Sequence, residues 1–234
     1  MDNFVYDIGT KIYFGKGQIE NLGAAVKAWG DKALLVYGGG SIKKTGVYDK
    51  AMESLKKAGV STVELAGVEP NPRVTSVREG VKLCRENGVQ VVVPIGGGSS
   101  IDCAKVIAGS VSYEGDPWDL VIGKAKYKSF LPIVSVLTLA ATGSEMDAVA
   151  VISNMDTNDK LGTGHPDMRP KASILDPTYT FTVSKYQTAS GTADIMSHIM
   201  ENYFGGSEGA YLQDRMAEGL LKTCIKYGVV AVRE

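Results

Sequence analysis

The run Val91-Val92-Val93-Pro94-Ile95 ends in Gly96-Gly97-Gly98-Ser99, and Asp102 and Lys105 follow at helical spacing. A dense β-branched stretch favours a buried strand, and the residues after the glycines favour a helix. A strand that passes into a helix through bare glycines commits this part of the chain to α/β architecture. Glycine in ordered backbone costs about 0.5–1 kcal/mol relative to alanine. Three in succession therefore point to a ligand that comes close to the main chain. The start of a helix adds unpaired N–H groups and about half a positive charge, a combination suited to a phosphate. A tight turn with no ligand uses the same residues, and both readings stay open at this point.

A second turn of the same kind, Gly38-Gly39-Gly40-Ser41, follows the apolar run Ala33-Leu34-Leu35-Val36-Tyr37. Neither turn has the GxGxxG spacing of a dinucleotide fingerprint or the GxxxxGK[ST] spacing of a P-loop. The chain around them alternates. Helices are expected over residues 17–29, 46–58, 73–86 and 99–112, and strands over 33–37, 60–65, 90–95 and 133–137. Such alternation with short connections predicts a parallel sheet covered by helices on both faces, with ligands at the carboxyl ends of the strands. The Glu69-Pro70-Asn71-Pro72 loop falls at one of those ends. Residues 4–8 and 11–14 alternate around Gly9-Thr10 and suggest a short antiparallel pair. Residues 148–153 suggest a strand that pairs across the polar stretch 154–160, and residues 172–175 a last short strand. Beyond Ser184 the pattern is helical, over 187–204 and 211–227, with Leu212, Met216, Leu220 and Cys224 on one face. This change of character places a domain boundary near residue 181.

The chain has 234 residues, of which 44% are hydrophobic, so it can bury a core. Its 25 basic and 26 acidic residues balance, which argues against a nucleic-acid or membrane-surface partner. No apolar run reaches the roughly 18 residues of a membrane span, and the N-terminus lacks the pattern of a secretory signal. Cys84, Cys103 and Cys224 are odd in number and far apart, so they suggest reduced thiols in a soluble cytoplasmic protein.

Three further groups carry candidate chemistry. Asp102 and Lys105 lie beside the second glycine turn. The lysine can meet a phosphate, and the aspartate can meet a ribose or fix the lysine. An ordinary surface ion pair between them is the plain alternative. The segment Thr138-Leu139-Ala140-Ala141-Thr142-Gly143-Ser144-Glu145 gathers small hydroxyl residues at a strand end, where they can bind phosphate or ribose oxygens or simply cap a turn. Asp194 and His198 stand four residues apart on one expected helix, with Glu201 one turn on and Ile195, Met196 and Ile199 around them. They are either two metal ligands or a buried histidine satisfied by an upstream carboxylate. The other histidine, His165, sits in a Gly/Pro-containing loop of the α/β part.

In order and spacing, these segments resemble the iron-containing, metal-dependent alcohol dehydrogenases, closest to the butanol dehydrogenase and NADPH-dependent aldehyde reductase branch. The residues that carry the resemblance are Tyr37–Ser41, Glu69–Pro72, Gly96–Ser99 with Asp102 and Lys105, Ala141–Glu145, Leu175-Asp176-Pro177, and Asp194 with His198. The resemblance implies a dehydroquinate-synthase-like α/β fold. A Rossmann-like parallel-sheet domain over residues 1–180 would precede the beginning of an all-α metal-binding domain over residues 181–234. It implies that Gly97, Gly98 and Ser99 take a pyrophosphate. Gly38, Gly39, Ser41, Asn71, Asp102, Lys105, Thr138, Leu139 and Thr142 would line the rest of a dinucleotide, with Ser144, Val151 and Lys160 nearby. Relatives that prefer NAD(H) often carry an acid where this chain has Gly39, so the resemblance implies NADP(H) over NAD(H).

The resemblance further implies hydride transfer between nicotinamide and a small primary alcohol or aldehyde, assisted by a divalent metal, iron or zinc. A homodimer formed near residues 4–14 is also implied. The family's metal set is Asp-His-His-His. Asp194 and His198 match its first two members, and no histidine follows His198. An inactive dinucleotide-binding fragment is therefore the alternative reading. Dehydroquinate-synthase-type and glycerol-1-phosphate-type relatives share the implied fold but not the loop matches.

Overall fold

The computed structural model describes residues 7–205 and 209–233. Two compact units are present. One runs to Thr138 and resumes over Gly143–Tyr179, and the other comprises Leu139–Thr142 and the chain from Thr180 onward.

The first unit is built on six strands: β1 (Lys11–Phe14), β2 (Lys32–Val36), β3 (Ser61–Leu65), β4 (Val91–Gly96), β5 (Val134–Leu137) and β8 (Ala172–Leu175). Their order across the sheet is β1-β8-β5-β4-β2-β3, and every pairing is parallel. Residues 11–14 pair in parallel with residues 172–175, and the antiparallel partner expected at 4–8 falls largely outside the described residues. The connections that matter most are α1 (Leu22–Lys27), α2 (Ser41–Lys44), α3 (Val47–Lys57), α4 (Val74–Asn87), α5 (Gly98–Ser110) and α6 (Pro117–Val121). The expected helix at 17–29 divides into a 3-10 turn at Gln18–Asn21 and the short α1.

Alternation within the strands sends residues to two cores. Leu34, Val36 and Val92 join Val77 and Val81 of α4 and Ala104 and Ile107 of α5 on one face. Ala33, Leu35, Val91, Val93 and Ile95 join Leu22 and Val26 of α1 and Ala51 and Leu55 of α3 on the other. This period of two explains why residues 33–36 and 91–96 are buried throughout, as strands covered on both sides must be. The separate hairpin β6 (Val149–Asn154) and β7 (Asp159–Gly164) pairs antiparallel. A local N-cap signal stands in the connection between α5 and β5. The Asp116 carboxylate accepts from the Trp118 N–H at 2.9 Å, and Pro117 opens α6.

In the second unit, α7 (Lys185–Phe204) packs on α8 (Tyr211–Arg233). The approach is close enough that a Cβ on Gly228 would lie 2.5 Å from Thr192. Leu212, Met216 and Leu220 of α8 are 67%, 60% and 53% exposed, so the apolar face read from the sequence is open to solvent. No helix of the described residues is long and apolar enough to cross a membrane.

Candidate functional site

The geometry starts from the register of β2 and β4. Val36 pairs with Pro94 in parallel neighbouring strands, so the glycine turns that follow them leave the sheet at one edge. The end of β5 joins that edge, where the Thr138 N–H donates to the Gly96 carbonyl at 3.0 Å.

Each glycine in the two turns has its own reason. A Cβ on Gly96 would fall 2.5 Å from the Ser100 hydroxyl, so this glycine serves internal packing. Gly97 is the N-cap of α5 with extended backbone, φ −87° and ψ −169°, a conformation open to any residue. No side chain caps α5, so its first N–H groups, at Gly98 and Ser99, are not covered by one. In the first turn, a Cβ on Gly39 would meet nothing within 4 Å. Gly40 has φ +92°, a left-handed conformation in which glycine is favoured. Gly38 and Gly39 lead into Ser41, the first residue of α2.

Asp102 and Lys105 do not form the surface ion pair that their spacing allows. The Asp102 carboxylate accepts from the Ser144 hydroxyl at 2.6 Å and from the Val151 N–H at 2.9 Å. Burial raises the Asp102 pKa, against the lowering effect of these two donors. Lys105 has no exposed surface. Its Nζ donates to Asp147 Oδ1 at 2.6 Å and to the Val149 carbonyl at 2.8 Å. Burial lowers the lysine's pKa, opposed by the charge of Asp147. One turn of α5 thus holds Ser144 and both ends of the segment 147–151. The sequence missed Asp147, and a partner 42 residues away leaves no local signal.

Asn71 is exposed in its loop with φ +54°, and its side-chain oxygen accepts from Lys160 Nζ at 2.7 Å. The same loop is docked on β6 through the Ser153 N–H, which donates to the Pro72 carbonyl at 2.8 Å. The structure therefore gathers the sequence-read residues of the first unit into three groups: the glycine turns with Thr138, the Asp102–Ser144–Val151 contact with Lys105 behind it, and the Asn71–Lys160 pair.

Leu139 and Thr142 fall in the second unit. There Leu139 and Ala140 line a cavity of about 610 Å³ with Phe181, Thr188, Thr192 and Ile195. Asp194 and His198 lie on α7, with His198 Nε2 3.7 Å from Asp194 Oδ1. Burial of this pair is corrected, because the two side chains are 41% and 49% exposed. Among the described residues, no group of three or more His, Cys, Asp or Glu side chains can hold a metal ion. Two half-exposed donors do not fit a mononuclear metal centre, which takes at least three protein ligands.

The model of the iron-containing alcohol dehydrogenases matches residues 9–177. The NADH-dependent butanol dehydrogenase B of Clostridium acetobutylicum is 64% identical over 234 residues, which is 100% of this chain and 60% of that protein. The NADPH-dependent aldehyde reductase YqhD of Escherichia coli is 41% identical, again over 100% of this chain and 60% of that protein. The crystal structure of NADH-dependent butanol dehydrogenase A from Thermotoga maritima superposes with a TM-score of 0.96 at 44% identity, covering 100% of this chain and 59% of that one. The chain thus spans about 60% of the length of the curated relatives it matches. With a family match across most of its length and the glycine turns of neighbouring strands at one sheet edge, the chain belongs to the iron-containing alcohol dehydrogenase family.

Proposed function

We propose that this chain binds a nicotinamide dinucleotide at the carboxyl edge of its sheet, as the cofactor part of an alcohol dehydrogenase or aldehyde reductase. The observation that carries the reading is the placement of Gly39 and the uncapped start of α5 at the ends of neighbouring parallel strands. When bound, the dinucleotide supplies or takes up the hydride exchanged with a small primary alcohol or aldehyde.

The residues divide the work. The N–H groups of Gly97, Gly98 and Ser99 face the pyrophosphate, where the start of α5 adds its favourable field. Gly38, Gly39 and Ser41 receive the adenosine ribose, and Thr138 and the Asn71–Lys160 pair border the same edge. Asp102 and Lys105 act through the chain segments they hold, since both side chains are occupied by Ser144, Val151, Asp147 and Val149. The family resemblance adds Leu139 and Thr142, which lie in the second unit. In domain terms, residues 1–180 bind the dinucleotide and residues 181–234 are an incomplete helical metal-binding domain. Asp194 and His198 would then be two of the three or more ligands that iron or zinc requires. Cytoplasmic placement and a homodimer through the edge strand β1, where Phe14 is 71% exposed, complete the proposal.

The open space at Gly39 admits the additional phosphate of NADP(H), which supports NADP(H) on steric grounds. The relative at 64% identity is named for NADH and the relative at 41% for NADPH, so both dinucleotides belong in the test. Fluorescence titration of the 234-residue chain with NADH and NADPH is that test. Binding of at least one in the micromolar-to-millimolar range is expected, and binding of neither overturns the proposal.

One observation favours a second reading, a dinucleotide-binding chain without turnover of its own: among the described residues, Asp194 and His198 are joined by no third side chain in a group that could hold a metal ion. Equilibrium dialysis against zinc or ferrous ion, followed by metal analysis, separates the two. One ion per chain together with butyraldehyde reduction supports the enzyme, and a stoichiometry near zero with dinucleotide still bound supports the second reading.

A further inference from the structure

Beside the first glycine turn stands a cluster that the reading above does not use. Glu64 of β3 accepts hydrogen bonds from the hydroxyls of both Tyr37 and Tyr48. Lys43 of α2 lies 3.4 Å from the same carboxylate. The lysine's ammonium also sits 5.2 Å from the Tyr37 ring centroid and 4.5 Å from that of Tyr48. The two rings meet edge to face, 6.0 Å apart at 64°.

The cluster is joined to the turn on both sides. Tyr37 immediately precedes Gly38, and its backbone pairs with Leu65 and Val68, so Glu64 is carried on the strand next to the turn. Lys43 sits one helical turn beyond Gly40, to whose carbonyl its N–H donates at 3.1 Å. Glu64 is held below the ordinary carboxylate range by the two hydroxyls and Lys43, against its partial burial. The bond to Glu64 pushes the Tyr48 phenol up to about 12. At neutral pH the cluster therefore holds one carboxylate, one ammonium and two protonated phenols.

Resting on the dinucleotide reading above, we infer that Glu64 is a specificity-determining residue: by holding Lys43, it neutralises one of the two cations of the helix that follows the first glycine turn and so withholds a counter-charge from the 2′-phosphate that Gly39 leaves room for. Space and charge then give opposite answers at the same turn. A ribose with a free 2′-hydroxyl loses nothing by the neutralisation. A phosphorylated one enters an open site where the Lys43 charge is already engaged by Glu64, and the preference moves toward NAD(H). Lys44, the other cation of α2, is present in all forms compared and cancels from the comparison.

The test is fluorescence titration of the full 234-residue chain and two variants with NADH and NADPH at low and high salt. Glu64→Gln keeps hydrogen-bonding capacity toward the tyrosines while removing the charge. It is expected to improve NADPH relative to NADH roughly two- to fivefold, the scale of a half-exposed ion pair, with the gain fading at high salt. Lys43→Met leaves the Glu64 charge uncompensated and is expected to move the ratio the opposite way. Because Lys43 is exposed, this variant carries the test if Glu64→Gln fails to fold. Ratios unmoved in the folded variants, or moved in the same direction by both, overturn the inference while leaving the dinucleotide site intact. Failure of the unsubstituted chain to bind either dinucleotide overturns the site itself, and this inference with it.

Discussion

The ammonium of Lys105, with no exposed surface, lies 2.6 Å from Oδ1 of Asp147, whose side chain is 35% exposed. The pair is unequal, and so are the consequences of cutting it. Lys105→Met removes the buried charge, and the aspartate left behind can turn to water. Asp147→Ala leaves a buried ammonium that keeps its hydrogen bond to the Val149 carbonyl and the weaker fields of Asp102 and Glu145 but loses its ion-pair partner. Breaking a buried pair costs about 3–5 kcal/mol. We expect Asp147→Ala near the upper end of that range and Lys105→Met at or below the lower end. Urea denaturation of the two variants measures the order, and a larger loss for Lys105→Met would refute the asymmetry. The same geometry makes Lys105→Glu a folding variant rather than a probe of ligand binding, since it would set two acids against each other.

Asp102 predicts a pH dependence of the opposite kind to an exposed carboxylate. Its folded pKa is raised, chiefly by burial. A raised folded value gives stability that is full below the unfolded pKa and is lost as pH climbs through the folded one. Asp102→Asn should remove that loss. An amide can still accept from the Val151 N–H and donate to the Ser144 oxygen, so the contact survives. Asp102→Ala takes the acceptor from the Val151 N–H and should cost about 1–3 kcal/mol for that donor. The check is urea unfolding from pH 4 to pH 7: the difference between unsubstituted protein and Asp102→Asn should shrink or reverse as pH rises, and a constant difference would remove the argument.

These two residues also show where the sequence stopped being legible. The strands at 33–36 and 91–96 announce themselves because sheets covered on both faces need near-continuous apolar runs, and those at 134–137 and 172–175 do so with one serine each. The glycine turns announce themselves as runs of three glycines after such strands, although only some positions need the residue: Gly96 for packing against Ser100 and Gly40 for its left-handed backbone. Pairing at long range leaves no such mark. Lys11 pairs with Ala172, and Lys105 meets Asp147 only because α5 and β6 pack together. An Asp and a Lys three apart on a helix look the same in sequence whether they face water or each other or, as here, separate partners more than 40 residues away. Glu64 was passed over for a related reason: nothing in Ser61–Leu65 says that one side chain will meet two phenols from a neighbouring strand end and a helix. For Asp194 and His198, helical spacing was readable, but exposure depends on what packs against α7 and was not.

Tyr179 offers a stabilising change. Its hydroxyl is buried with no hydrogen-bond partner among the described residues, and burial pushes its pKa up to about 12. An unsatisfied buried hydroxyl carries a desolvation cost of about 1–3 kcal/mol, part of which is returned when the group is removed. Tyr179→Phe is therefore expected to raise stability by up to about 1 kcal/mol, the small void left behind offsetting the rest. Thermal unfolding followed by circular dichroism reads this as a higher Tm, and a lower Tm would show that a bound water or an unseen partner satisfies the group.

Gly39→Asp tests the steric half of cofactor choice, separately from Glu64. The position is exposed, a Cβ there meets nothing within 4 Å, and the backbone is not left-handed, so the side chain should be accommodated without loss of fold. A carboxylate in that space stands beside the ribose in the proposed pose. It can accept a hydrogen bond from a 2′-hydroxyl and repels a 2′-phosphate. A like-charge contact a few ångströms apart in a largely hydrated site is worth on the order of 1.4 kcal/mol, or about tenfold. NADPH affinity should therefore fall about tenfold relative to NADH, measured by the same fluorescence titration. High salt should narrow the difference, since the site is open to solvent. A ratio unchanged by this substitution, in a chain that still binds either dinucleotide, would place the ribose away from the first turn and leave only the α5 end of the proposed site standing.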